Sequence, residues 1–150
     1  MPDITAVTHA QNIRYDRKAE ALYIIDQTLL PNEEKEIRLQ TIDEMVEAIR
    51  ALRVRGAPAI GICAAYCMYV LAKSIRTEDR PTFLKRLSDY GQQLEASRPT
   101  AVNLGWAIRE MMRTALEHVH DTGGQMLDAL YERAVAIHED DIAKCKAISE

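Results

Sequence analysis

From Ala57 to Ala72 the chain reads Ala-Pro-Ala-Ile-Gly-Ile-Cys-Ala-Ala-Tyr-Cys-Met-Tyr-Val-Leu-Ala, without one charged side chain. A helix that is apolar all round has to be enclosed, by the rest of a protein or by lipid. The run is short for a membrane span, and its alanines with Gly61 suit close contact on several sides. The sequence therefore predicts a buried central helix over roughly Pro58 to Ile75, with other elements laid around it. A chain of 150 residues, 47% apolar and 28% charged, has the composition to enclose such a helix in one compact unit.

The approach to this helix is as informative as the helix. Val54-Arg55-Gly56-Ala57-Pro58-Ala59-Ile60-Gly61 sets an arginine, a glycine and a proline where the apolar run begins. Amide groups at a helix start have no partner within the helix, and with the helix dipole they favour a bound anion. Pro58 fits the first turn, where a missing N–H costs nothing. Gly56 permits close approach of a ligand to the backbone. Arg55 can add a forked contact to phosphate or carboxylate. A similar arrangement recurs at Ser97-Arg98-Pro99-Thr100-Ala101-Val102-Asn103-Leu104-Gly105-Trp106, with Ser97 or Thr100 as a cap. Two such helix starts facing one pocket, with Arg55 and Arg98 converging, would grip a phosphate from two sides. The plainer alternative is an ordinary loop leading into a buried helix, with solvated arginines.

The remaining pattern predicts an α+β fold that is mainly helical. Residues 1–40 read as a small three-stranded antiparallel sheet, with strands at Asn12 to Asp16, Ala21 to Gln27 and Lys35 to Gln40. Asp16-Arg17-Lys18-Ala19 is the first turn, and Leu30-Pro31-Asn32 separates the later strands. Residues 41–150 read as a bundle of about five helices. Thr41-Ile42-Asp43-Glu44 is a capping box, followed by Met45, Val46, Ile49 and Leu52 at helical spacing. A third helix opens at Pro81 and buries Phe83, Leu84, Leu87, Tyr90 and Leu94. A fourth, about Ala101 to Val119, is expected to bury Val102, Trp106, Ile108, Met111, Met112 and Leu116. The last runs from Gln125 to Ile148, after an Asp121-Thr122-Gly123-Gly124 turn.

Other candidate chemistry is thinner. The net charge of −4 and the lack of a basic stripe argue against nucleic-acid binding. Cys63, Cys67 and Cys145 form no metal pattern; the first two read as small buried residues with free thiols, and three cysteines suit a reducing cytoplasm. Met1 to Ala10 lacks the basic and apolar regions of a signal peptide, and His9 carries no pattern. His118 and His120 lie two apart on a helix and do not share a face. His138-Glu139-Asp140-Asp141 reads as a solvated helix face rather than a metal site. Trp106 with Met111-Met112 fits either a ligand pocket or, more commonly, the core. Asp26-Gln27 either meets a ligand or makes turn hydrogen bonds, and Arg53, two residues from Arg55, is expected to point elsewhere. No nucleophile–base pair and no nucleotide-binding glycine motif stands out.

Val54 through Gly61, read with Arg98 through Trp106, resembles the methylthioribose-1-phosphate isomerase family, whose superfamily includes the regulatory subunits of translation initiation factor 2B. Ile25-Asp26-Gln27-Thr28-Leu29-Leu30-Pro31 and Thr41 to Ile49 are similar to the same family. The resemblance implies an aldose–ketose isomerase of methionine salvage, cytoplasmic, with no metal or organic cofactor and a tendency to homodimers. It implies that Arg55, Gly56 and Ala57 form the substrate-phosphate loop and that Arg98 is a further substrate contact. The family's catalytic cysteine and aspartate belong to a Rossmann-like C-terminal domain, so no catalytic residue is expected in this chain, which should be inactive alone. Lys144 to Glu150 still reads as helix, which adds to the expectation that the polypeptide continues. The alternatives are a regulatory or assembly domain akin to the initiation-factor subunits, a ribose-1,5-bisphosphate isomerase, or a helical interaction domain with no ligand.

Overall fold

The computed structural model describes the backbone of residues 12–149 and the side chains of residues 12–141. The expectations placed on Met1 to Ala10, His9, Cys145 and the side chains beyond Asp141 lie outside the described residues.

Strands β1 (Ile13–Asp16), β2 (Ala21–Ile25) and β3 (Glu36–Leu39) form one antiparallel sheet in the order β1-β2-β3. Its register pairs Ile13 with Ile24 and Leu22 with Leu39. The alternation of side chains separates two faces. Ile13, Leu22, Ile24 and Leu39 are buried. On the other face Arg14 takes both Glu36 carboxylate oxygens, at 2.8 and 2.7 Å, and lies 4.2 Å from the Tyr23 ring centroid. The first turn forms as its residues suggest: Asp16 Oδ1 accepts from the amides of Lys18 and Ala19 at 2.9 and 3.1 Å. After β2 the chain makes a single turn of 3₁₀ helix, Gln27–Leu29, capped by Asp26.

Five helices follow: α1 (Ile42–Arg50), α2 (Ala57–Ser74), α3 (Arg80–Ser97), α4 (Val102–Glu117) and α5 (Gly123–Ser149). The capping box at Thr41 and Glu44 is present in full, a feature worth about 1 kcal/mol to a helix. Helix α2 is the centre. It touches α1, α3, α4, α5 and the first two strands. By length and composition alone it could cross a membrane, yet 72% of it is buried inside the protein. One apolar cluster runs from the sheet through α2 to Met126, Leu130 and Ala134 of α5.

Small residues set how closely the helices approach. A Cβ on Gly91 of α3 would stand 2.9 Å from Ile108 Cγ2 of α4, and a Cβ on Gly61 of α2 would stand 3.2 Å from the Asn103 carbonyl oxygen of α4. Around the outer half of α2, Tyr15, Tyr66, Tyr69 and Tyr131 pack ring to ring, joining β1 and α5 to the central helix. The Tyr66 hydroxyl lies 2.8 Å from His138 Nδ1, and burial pushes the Tyr66 phenol well above its ordinary range.

Helix α4 corrects the expected core. Ile108 and Met111 are buried, but Val102 is 78% exposed, Leu116 54% and Trp106 43%. The reason is geometric: the face of α4 that meets α2 and α3 is lined by Leu104, Ala107, Ile108, Met111 and Ala115, and Val102, Trp106 and Leu116 lie outside that stripe.

Candidate functional site

The first turns of the helices divide into two groups. Helix α1 is capped by Thr41, α3 by Asp79, whose carboxylate accepts from the Thr82 amide and hydroxyl, and α5 by reciprocal bonds between Thr122 and Gln125. Helices α2 and α4 take no side-chain cap. The capping expected of Ser97 or Thr100 is therefore not made: the residue before α4 is Ala101, and the Ser97 hydroxyl donates instead to the Leu94 carbonyl.

The two uncapped starts open onto one hollow of about 450 Å³. Its wall contains Gly56 and Ala57 from the start of α2, Arg98 and Thr100 from the loop before α4, and Val102 and Asn103 from the first turn of α4. First-turn amides have no acceptor within their own helix, so the hollow gathers main-chain donors, two positive dipole ends and a guanidinium. That combination suits an anion.

Arg55 is exposed and borders a narrow crevice formed with the ends of β1 and β2, Gln27 and Ala59. The structure brings Gly56, Ala57 and Arg98 onto one wall, with Arg55 next to Gly56 in the chain. Gly56 sits at φ 93°, a conformation open to glycine and costly for other residues. Leu52, also on the hollow's wall, has φ 61°, a left-handed position that costs a non-glycine residue about 1–2 kcal/mol.

What holds this strained loop is a polar clamp. Arg53 donates from Nη1 to Asp26 Oδ2 at 2.8 Å and from Nε to Glu47 Oε1 at 2.7 Å, and its carbonyl accepts from the Gln27 amide at 2.9 Å. Asp26 is 4% exposed and also accepts from the Thr28 amide and hydroxyl, at 3.0 and 2.6 Å. Burial raises the Asp26 carboxyl, but the Thr28 bonds and the Arg53 guanidinium outweigh it and hold the group below the usual carboxylate range. Asp26 and Gln27 accordingly make structural bonds, and Arg53 faces away from the hollow, as its spacing from Arg55 suggested.

A second hollow, of about 430 Å³, adjoins the first and shares Val102 and Asn103 with it. Trp106, Pro58, Ile62 and Ile137 line it, with Arg109, Asp140 and Asp141. Of the other residues singled out by type, Cys63 and Cys67 are buried thiols 3.8 Å apart, and His118 Nδ1 lies 2.6 Å from Asp121 Oδ2 at the end of α4. Among the described residues no group of three or more His, Cys, Asp and Glu side chains is arranged to hold a metal ion.

Residues 53–150 match the initiation factor 2 subunit family. The chain belongs to that family. Within it, the chain is 41% identical over 138 residues to methylthioribose-1-phosphate isomerase of Parabacteroides distasonis, covering 92% of this chain and 41% of that protein. It is 46% identical over 127 residues to the Trichormus variabilis protein of the same name, covering 85% and 36%. It is 41% identical to 5-deoxyribose 1-phosphate isomerase of Clostridium botulinum, covering 92% and 40%. The fold superposes on 5-methylthioribose 1-phosphate isomerase from Pyrococcus horikoshii with a TM-score of 0.80 at 32% identity, over 86% of this chain and 36% of that one. It superposes on translation initiation factor eIF-2B, subunit delta, from A. fulgidus with a TM-score of 0.79 at 30% identity, over 87% and 37%. The three-stranded sheet and five helices match the corresponding part of the isomerase fold. The chain spans about two fifths of the length of the relatives it matches.

Proposed function

We propose that this chain is the phosphate-holding portion of an aldose–ketose isomerase that acts on a ribose 1-phosphate altered at C5, such as 5-methylthioribose 1-phosphate, in methionine salvage. One observation carries the reading. The only two helices among the five whose first turns lack a side-chain cap open on the same hollow, with Arg98 beside them. In this role the amides around Ala57 and Asn103 and the Arg98 guanidinium hold the phosphate dianion, while Gly56 admits it close to the backbone. Arg55, exposed next to Gly56, meets whatever part of the ligand extends beyond the hollow. Moving a proton between C2 and C1 needs an acid–base pair, and this chain contributes none to the hollow's wall, so it is inactive by itself.

The test is a titration of the chain with inorganic phosphate, followed by amide shifts in ¹H–¹⁵N spectra. Shifts at Gly56, Ala57 and Asn103 are expected, and Arg98→Ala should weaken binding at least about tenfold, since a hydrogen bond to a charged group is worth about 1.5–3 kcal/mol. Unmoved amides, or equal affinity in Arg98→Ala, refute the proposal. The superposition on an initiation-factor subunit favours a second reading, in which the same hollow senses a phosphorylated ligand without turning it over. A chimera carrying this chain in place of the matching segment of the Parabacteroides distasonis isomerase separates the two. Isomerisation of 5-methylthioribose 1-phosphate supports the enzyme; phosphate binding without turnover supports the sensor.

A further inference from the structure

We infer that the second hollow selects the substrate by its C5 substituent, with Trp106 as the residue that sets the preference. The inference rests on the phosphate reading above and extends it to the other end of the sugar. Three observations lead to it. The two hollows are contiguous, with Val102 and Asn103 in both walls, so a ligand anchored by phosphate in the first projects its far end into the second. The second hollow is lined by Pro58, Ile62, Trp106 and Ile137, and Trp106 is 43% exposed although it is the chain's single tryptophan. An indole left open beside a concave apolar wall is poised to cover an apolar group rather than to fill the core.

The charges point the same way. Arg109, Asp140 and Asp141 are all on the wall of this hollow. Two carboxylates stand on this wall and none on the first, which disfavours a phosphate here, so the phosphate stays between the helix starts and the ligand has one orientation. The same polar rim suits the ribose hydroxyls. The names of the relatives state what they have in common: a 1-phosphate at one end and, at C5, a methylthio group or hydrogen in place of the hydroxyl. A hydroxyl at C5 would be stripped of water against indole and isoleucine, with no partner of matching polarity on the apolar wall.

Four probes test this on the chain: inorganic phosphate, ribose 1-phosphate, 5-deoxyribose 1-phosphate and 5-methylthioribose 1-phosphate, each titrated against the Asn103 amide signal. The expected order is methylthio over deoxy over ribose, with the methylthio sugar about tenfold tighter than ribose 1-phosphate, the scale on which apolar pockets discriminate. Trp106→Gln should bring that ratio close to one without changing the affinity for inorganic phosphate, and Trp106→Leu should restore part of it. Both substitutions fall at a surface position, and an unchanged circular dichroism spectrum confirms the fold. Equal binding of ribose 1-phosphate and the methylthio sugar overturns the inference while leaving the phosphate reading intact, as does a ratio that survives Trp106→Gln. Loss of all phosphate binding in the unaltered chain refutes both. Concentration-dependent shielding of the Trp106 indole without ligand would show a second copy seated in the groove and would also overturn it.

Discussion

Replacing Asp26 by alanine probes the physical argument most directly, because the clamp it anchors holds the loop that leads to the hollow between the two helix starts. The carboxylate accepts two bonds from Thr28 and pairs with Arg53. A neutral hydrogen bond is worth about 1 kcal/mol and one to a charged group about 1.5–3 kcal/mol. The Arg53 side chain is partly exposed and keeps Glu47 as a partner, so solvent and relaxation reduce its share. We expect a net loss of about 2–3 kcal/mol, which for a chain of this size lowers Tm by about 4–12 °C. Urea unfolding followed by far-ultraviolet circular dichroism measures it. The pH dependence adds an independent check. The folded carboxyl is held below its unfolded value of about 3.9, so its contribution is fully present above that value and disappears as pH falls through the lower, folded one. The gap between parent and Asp26→Ala should therefore be constant from pH 5 to 7 and close in stronger acid. A loss below about 0.5 kcal/mol at pH 7, the range of an ordinary surface change, would show that the clamp does not hold the loop.

Two further outcomes follow from packing. Gly61→Ala drives a methyl group against the Asn103 backbone; overpacking of this kind costs about 1–3 kcal/mol, and the two helix starts should separate enough to weaken phosphate binding, read in the same titration. Contact with Cys63 and complete burial push the Cys67 thiol well above its ordinary range, so mass-spectrometric mapping after iodoacetamide treatment at pH 8 should find Cys67 unmodified in the folded chain and modified in urea; rapid native labelling would contradict the buried position.

Local chemistry was legible in the sequence where a few neighbouring residues decide the structure. The Thr41–Glu44 box, the Asp16 turn, the apolar helix and the strand alternation each depend on contacts within a few positions, and each is present. The features that escaped are those joining distant residues. Asp26 and Arg53 are 27 positions apart, and the four tyrosines come from β1, α2 and α5. Neither pairing has a local signature. Trp106 and Val102 looked like core because periodicity marks an apolar face without saying whether another element covers it. The hollow itself was half legible: the glycine and proline at one helix start and the arginine before the other pointed to it, whereas the positive φ of Gly56 and Leu52 on its wall is a dihedral choice that composition does not reveal.

The near-contact between Gly61 and Asn103 has an electrostatic consequence. It holds the amino ends of two helices side by side, each equivalent to roughly half a positive charge, with Arg98 beside them. Like charges crowded together repel, so the packing of these two helices works against a repulsion that an anion between the two ends would ease. On the proposed function, the chain's stability rises with phosphate concentration, and a buffer of small monovalent anions leaves that contribution out.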